Sequence, residues 1–192
     1  MRTISSGTGT RAGRIRTVAI SAWLEALLLL GAGALVVVVH QSFRYPLHLP
    51  GRQGVLWMAI LLGARSTART RWAGSIASVG AAGFSLLPLW GPIDDRFIWL
   101  TYLIPGLVVD AAFRRFPGLS RKVWFLAGLG AVAHVTKPLL REGIAVIAGW
   151  DNGSWWLGTM YPSLTHLLFG AAGGILAAGL VQLYRTRSDH RG

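Results

Sequence analysis

Apolar residues fill six blocks along the chain, separated by short clusters rich in charge, glycine and proline. The blocks cover 17–39 ("TVAISAWLEALLLLGAGALVVVV"), 53–64, 73–90, 97–113, 122–149 and 155–184. Several approach or exceed the ~20 residues that cross a bilayer as a helix. The pattern predicts an all-α, polytopic membrane protein with six transmembrane helices in one domain, 17–184. A disordered basic tail (1–16) is expected before it and a short basic tail (185–192) after it. The run at 53–64 is short, so its helix either tilts little or starts below the membrane surface. The loop before it, "HQSFRYPLHLPGRQG", has the prolines, histidines and glycines of an ordered lid or re-entrant segment.

Charge tests the count. With both termini inside, the inner segments carry 14 of the 19 basic residues. Only Arg44, Arg52 and Arg96 fall outside, and Lys137 and Arg141 lie within the fifth block. Basic residues near membrane ends stay cytoplasmic, so an even number of spans with both termini cytoplasmic fits. The location predicted is the inner (plasma) membrane of the cell, crossed several times. Residues 1–16 are not expected to be a cleaved signal, because the apolar run behind them is too long.

Composition agrees. The 192 residues are 53% hydrophobic and 14% charged, with a mean hydropathy of +0.49, against about 25% charged in soluble domains. The formal net charge of +12 reads as topology signal and contact with anionic lipid rather than as a nucleic-acid surface. The absence of cysteine excludes disulfides, thiolate metal sites and cysteine nucleophiles. No HExxH, GxSxG, Walker loop or GxGxxG is present, so no enzyme is indicated.

The polar residues inside the blocks carry the functional signal. In "HVTKPLLRE", His134, Lys137 and Arg141 are spaced i, i+3, i+7 and share one face of the fifth helix. Pro138 can bend that helix. On the sixth, Trp155, Thr159, Pro162 and His166 fall on one face by the same count, and His134 and His166 lie at similar depth, near mid-bilayer. A charge at helix centre costs at least ~2.5–3.5 kcal/mol, so the cluster needs a polar cavity, a partner or a ligand. One reading is a pocket between the fifth and sixth helices, open to the outside, with Lys137 and Arg141 facing an anionic or carbonyl-bearing ligand and Trp155 stacked on a planar one. The other is structural, with Arg141 paired to Asp110, Asp94, Asp95 or Glu142 and Lys137 snorkelling outward. Glu25 either contacts another subunit or pairs with Arg65 or Arg69. Asp110 is expected to be structural, facing Arg114 and Arg115.

A family resemblance completes the reading. The stretch from "HLPGRQGVLWMAILLGARS" through "RTRWAGSIASVGAAGF" to "LTYLIPGLVVDAAFRR", with Gly106-x-x-x-Asp110 closing the fourth block, resembles the second to fourth helices of the substrate-binding S-components of energy-coupling factor (ECF) vitamin transporters. Ala22-x-x-x-Ala26 is similar to that family's contact with its transmembrane coupling subunit. The resemblance covers most of 17–184. It implies a micronutrient pocket on the outer side, built from the fourth to sixth helices and capped by outer loops. His134, Lys137, Arg141, Trp155, Trp156, Thr159 and His166 are the corresponding candidates here. It also implies an ATP-driven complex with a coupling subunit and ATPase subunits, and no cofactor. The histidine-rich first loop and "HVTKPLLRE" match no vitamin-specific signature, and "MRT" differs from the Met-His start of the cobalt and nickel members. Three alternatives stand beside it: a haem-binding electron-transfer protein using His134 and His166 as axial ligands, a metal carrier using His40, His48, Asp94 and Asp95, and a structural subunit without a ligand.

Overall fold

The computed structural model describes residues 9–42, 49–87, 97–149 and 156–189, with side chains from 21 to 187. Those residues form six α-helices and no strand: α1 (Gly9–Ser42), α2 (Gly54–Thr67), α3 (Ala73–Ser85), α4 (Ile98–Arg115), α5 (Val123–Ala148) and α6 (Tyr161–Asp189). A short 3₁₀ turn, Pro117–Leu119, joins α4 to α5, and a π-helical turn, Trp156–Met160, leads into α6. Each apolar block contributes one helix. Helix α1 reaches back to Gly9, so the segment 9–16, expected as part of a disordered tail, continues the first helix.

Three stretches are long and apolar enough to cross a bilayer: Ser21–Ser42, Val123–Ala148 and Trp156–Arg187. They mark the chain as a membrane protein. Their outward faces carry large apolar side chains, such as Leu28, Ile147 and Leu168, which lipid would cover. The other three helices are shorter. At 1.5 Å per residue, the 14 residues of α2 extend only about 21 Å, less than the hydrocarbon thickness.

The packing explains why a short helix is stable there. The helices form a closed ring in the order α1, α3, α4, α5, α6, α2, and α2 also touches α3, α4 and α5. It is the hub of the bundle. Trp57, Met58, Leu61 and Leu62 from α2 are buried at the centre of one apolar core, with Val37, Ala81, Tyr102, Val109, Leu126, Ala133 and Ala177 from the other five helices around them. Contact with all five other helices replaces much of the lipid contact that a longer helix would make.

Small residues allow the close approaches. A Cβ on Gly130 of α5 would lie 2.3 Å from the Gly170 carbonyl oxygen of α6, so these two backbones touch. Gly149, with φ +68°, ends α5 in the left-handed conformation while its N–H caps the last turn.

The cytoplasmic end predicted from charge is held by Asp110, which is fully buried on α4. Its carboxylate accepts from the backbone N–H groups of Gly74 and Ser75 (3.1 and 2.7 Å) and from the Ser75 hydroxyl (2.6 Å). It therefore caps the start of α3, where a negative charge is favoured. Arg65, from the end of α2, completes the site at 2.8 Å and lies over the Phe113 ring. The sequence assigned Asp110 to Arg114 and Arg115. The structure corrects that: the partner is Arg65, while Arg114 Nε donates to the Asp110 carbonyl oxygen and its guanidinium stacks on Trp72. Glu25 binds neither Arg65 nor Arg69 through their side chains; its carboxylate accepts from the backbone N–H groups of Arg69 and Thr70 in the turn between α2 and α3.

Candidate functional site

The opposite ends of the helices hold a cluster of polar side chains inside the bundle. The chain just before α2 turns downward at Gly51, whose φ of +74° favours glycine. This brings the start of α2 against the middle of α5 and α6. A Cβ on Gly54 would fall 2.1 Å from His134 Nε2, and one on Gly51 would fall 2.6 Å from His166 Nδ1. Both positions must be bare for the imidazoles to fit. The start of the short second helix therefore packs against the middle of α5.

His134 and His166 are both buried, and their rings stack with centroids 4.5 Å apart and planes inclined by 32°. The equal depth inferred from sequence places them in direct contact. Each is held by a main-chain carbonyl: His134 Nε2 lies 3.1 Å from Gly51 O, and His166 Nδ1 lies 2.7 Å from Pro162 O. A carbonyl only accepts, so each of those ring nitrogens carries the hydrogen. Trp57 meets His134 edge-on at 5.3 Å. Lys137, one turn along α5, places its Nζ 5.8 Å from the Trp57 ring and 5.6 Å from that of Tyr102. It points into the bundle and does not snorkel outward.

Two cavities meet here. The inner one, of about 90 Å³, is lined by His40, Leu49, Gly51, Arg52, Gln53, Gly54, His134, Lys137 and His166. The outer one, of about 490 Å³, is lined by Pro50, Ile98, Thr101, Lys137, Pro138, Arg141, Glu142, Leu157, Gly158, Pro162 and His166. Lys137 and His166 belong to both walls. Gln53 Nε2 donates to the His40 carbonyl oxygen at 2.7 Å, tying the end of α1 to the inner chamber.

Of the residues singled out from sequence, His134, Lys137, Arg141 and His166 come together around this space. Arg141 is exposed at the outer chamber's edge. Thr159 is buried and Trp156 is 56% exposed, and neither lines a chamber; Trp155 lies outside the described residues. Thr159 and Trp156 both belong to the π-helical turn Trp156–Met160. It inserts wider turns, so a 3.6-residue count does not carry the His166 face back through it. His48, Asp94 and Asp95 also lie outside the described residues. Asp110 is not a partner for Arg141, since it is held by Arg65 at the other end of the bundle.

Sequence reasoning missed Gly51, Gln53, Gly54, Trp57, Tyr102 and the outer-chamber residues Thr101 and Leu157 as parts of the site. The one available signal was the "LPGRQG" loop before an unusually short helix.

The pairing of His134 and His166 as axial haem ligands does not fit: rings 4.5 Å apart leave no space for a macrocycle between them. Among the described residues, no group of three or more histidine and carboxylate side chains could hold a metal ion. Ala22 is exposed and Ala26 half-buried on α1; neither lines the groove of about 660 Å³ between α1, α2 and α6 that Glu25, Leu28 and Tyr184 help to line. Compared with known proteins, the chain matches no family model, no curated protein and no solved structure.

Proposed function

We propose that the chain is a membrane-embedded solute-binding subunit of the ECF S-component type. In this reading all six helices traverse the membrane region, both termini are cytoplasmic, and the membrane is the plasma membrane. The protein captures a small planar or anionic organic micronutrient from outside. It delivers that solute through an ATP-driven complex with a transmembrane coupling subunit and ATPase subunits, the coupling subunit docking along Ala22 and Ala26.

One observation carries the proposal. The paired chambers lie inside the bundle around Lys137 and the stacked His134 and His166, with the exposed Arg141 at the rim of the outer one. Polar side chains at membrane depth that face a cavity, not lipid, mark a ligand or ion path. The outer chamber, about 490 Å³, falls within the ~300–1,000 Å³ usual for small-molecule sites. Trp57 and Tyr102 lie behind the chambers in the core, where they back His134 and Lys137. Mass spectrometry of the protein purified in mild detergent, with and without Lys137→Gln, tests the reading. The expected result is a small organic mass retained by the wild type and depleted in the variant. Equal retention in both would remove Lys137 from the site.

A further inference from the structure

The groove between α1, α2 and α6, about 660 Å³ in volume, shares no lining residue with the two chambers. What it holds is therefore independent of the solute-binding role. It lies between two of the stretches long and apolar enough to cross a bilayer, Ser21–Ser42 and Trp156–Arg187. Whatever fills it comes from the bilayer or from a partner within the bilayer. Its walls change character along its length. Leu28, Ala32 and Leu180 line one part, and Glu25, Arg69 and Tyr184 line the part toward the end of α2. On α1 the lining runs from Ser21 to Ala32, about 16 Å at 1.5 Å per residue. That is close to half of the ~30 Å hydrocarbon core. A helix from a second copy or another subunit would cross the whole core. An acyl chain from one leaflet ends near the middle, as this groove does.

The polar end of the groove carries both signs of charge. Glu25 accepts the backbone N–H groups of Arg69 and Thr70 through the same oxygen, Oε1. This ties the carboxylate to the residue that bears the guanidinium, and a carboxylate keeps further acceptor sites on its second oxygen. Arg69 is exposed, and a guanidinium matches phosphate through its fork of N–H donors. A headgroup that complements both residues carries a phosphate and, a short reach away, a cation with N–H donors. We propose that the groove holds an acyl chain of an ethanolamine phospholipid, with its phosphate at Arg69 and its ammonium at Glu25. A glycerol headgroup brings only the phosphate and leaves Glu25 beside a like charge. A choline headgroup brings a cation without an N–H to donate.

The test uses the full chain, stripped of lipid in detergent and offered equal amounts of ethanolamine, glycerol and choline phospholipids with the same acyl chains. Native mass spectrometry reads the lipid retained. Its mass tells a phospholipid from the small solute of the chambers, and Lys137→Gln should leave its retention unchanged. The ethanolamine lipid is expected to be retained about ten-fold in preference to the other two, the scale of one hydrogen bond to a charged group. Glu25→Gln keeps an oxygen for the N–H groups of the turn and should abolish that preference. Arg69→Gln should weaken all three lipids. Gly63 lines the groove, and a Cβ there meets nothing within 4 Å. Gly63→Leu should therefore fill the groove and expel the lipid without lowering the temperature of thermal unfolding. Equal retention of the three headgroups refutes the pairing with Glu25 and Arg69. Lipid retained unchanged by Gly63→Leu sits elsewhere and overturns the proposal. A dimer mass that Gly63→Leu abolishes overturns it too, giving the groove to a second copy.

Discussion

At the scale of single residues, two clusters of buried polar groups lie apart in the bundle, one around Asp110 and one around His134 and His166. Asp110 joins three helices by accepting from α3 and pairing with Arg65 of α2. Removing one partner strands a buried charge, which costs about 3–5 kcal/mol. Asp110→Leu should therefore lower thermal stability sharply, and so should Arg65→Met. The double variant should lose less than the sum of the two, as a double-mutant cycle of unfolding in detergent would show. Ligand retention in any surviving fold should be unaffected, since neither side chain approaches the chambers. The histidine cluster behaves in the opposite way. Gly54→Ala places a methyl group on His134 Nε2, and the ring must leave Gly51. We expect the His134 imidazole signals to shift and retained ligand to fall at least ten-fold; an unchanged spectrum would refute the close fit of Gly54 against the ring.

Elements show what could and could not be read from the chain. The helices were legible because each is an apolar run closed by charge, glycine or proline, as at "GARSTARTR" between α2 and α3. The shared face of His134 and Lys137 was legible for the same reason, since both sit on one uninterrupted helix. Contacts between distant segments were not. Nothing local says that α2 is the hub, that Gly51 lies under His166, or that Asp110 selects Arg65 over its neighbours Arg114 and Arg115. The π-helical turn before α6, which holds the buried Thr159, was also hidden. Helix–helix contact gives a direct prediction. Gly130→Ala drives a Cβ against the Gly170 carbonyl, backbone against backbone, and should destabilise by about 1–3 kcal/mol. Gly128→Ala on the same helix meets nothing within 4 Å and should be neutral or stabilise by up to about 1 kcal/mol. Thermal unfolding of the two variants side by side checks this; equal effects would show that α5 and α6 do not touch at Gly130.

For the whole molecule, the account joins a membrane topology to a pocket. Because the chain has no cysteine, single-cysteine reporters are clean. Ser42→Cys and Leu87→Cys should react with an impermeant maleimide from outside intact cells, and Thr67→Cys and Ser120→Cys only after permeabilisation. A reversed pattern at either pair would break the six-span arrangement. In the proposed topology the chambers face outward and the Asp110 cluster faces the cytoplasm. The central claim is that the space around His134, Lys137 and His166 holds a small organic solute. Native mass spectrometry with an absorption spectrum on the gently purified protein tests it most directly. The account predicts a retained organic mass, no Soret band, and loss of that mass in Lys137→Gln. A haem mass with a Soret band, or a retained mass indifferent to Lys137, would contradict it.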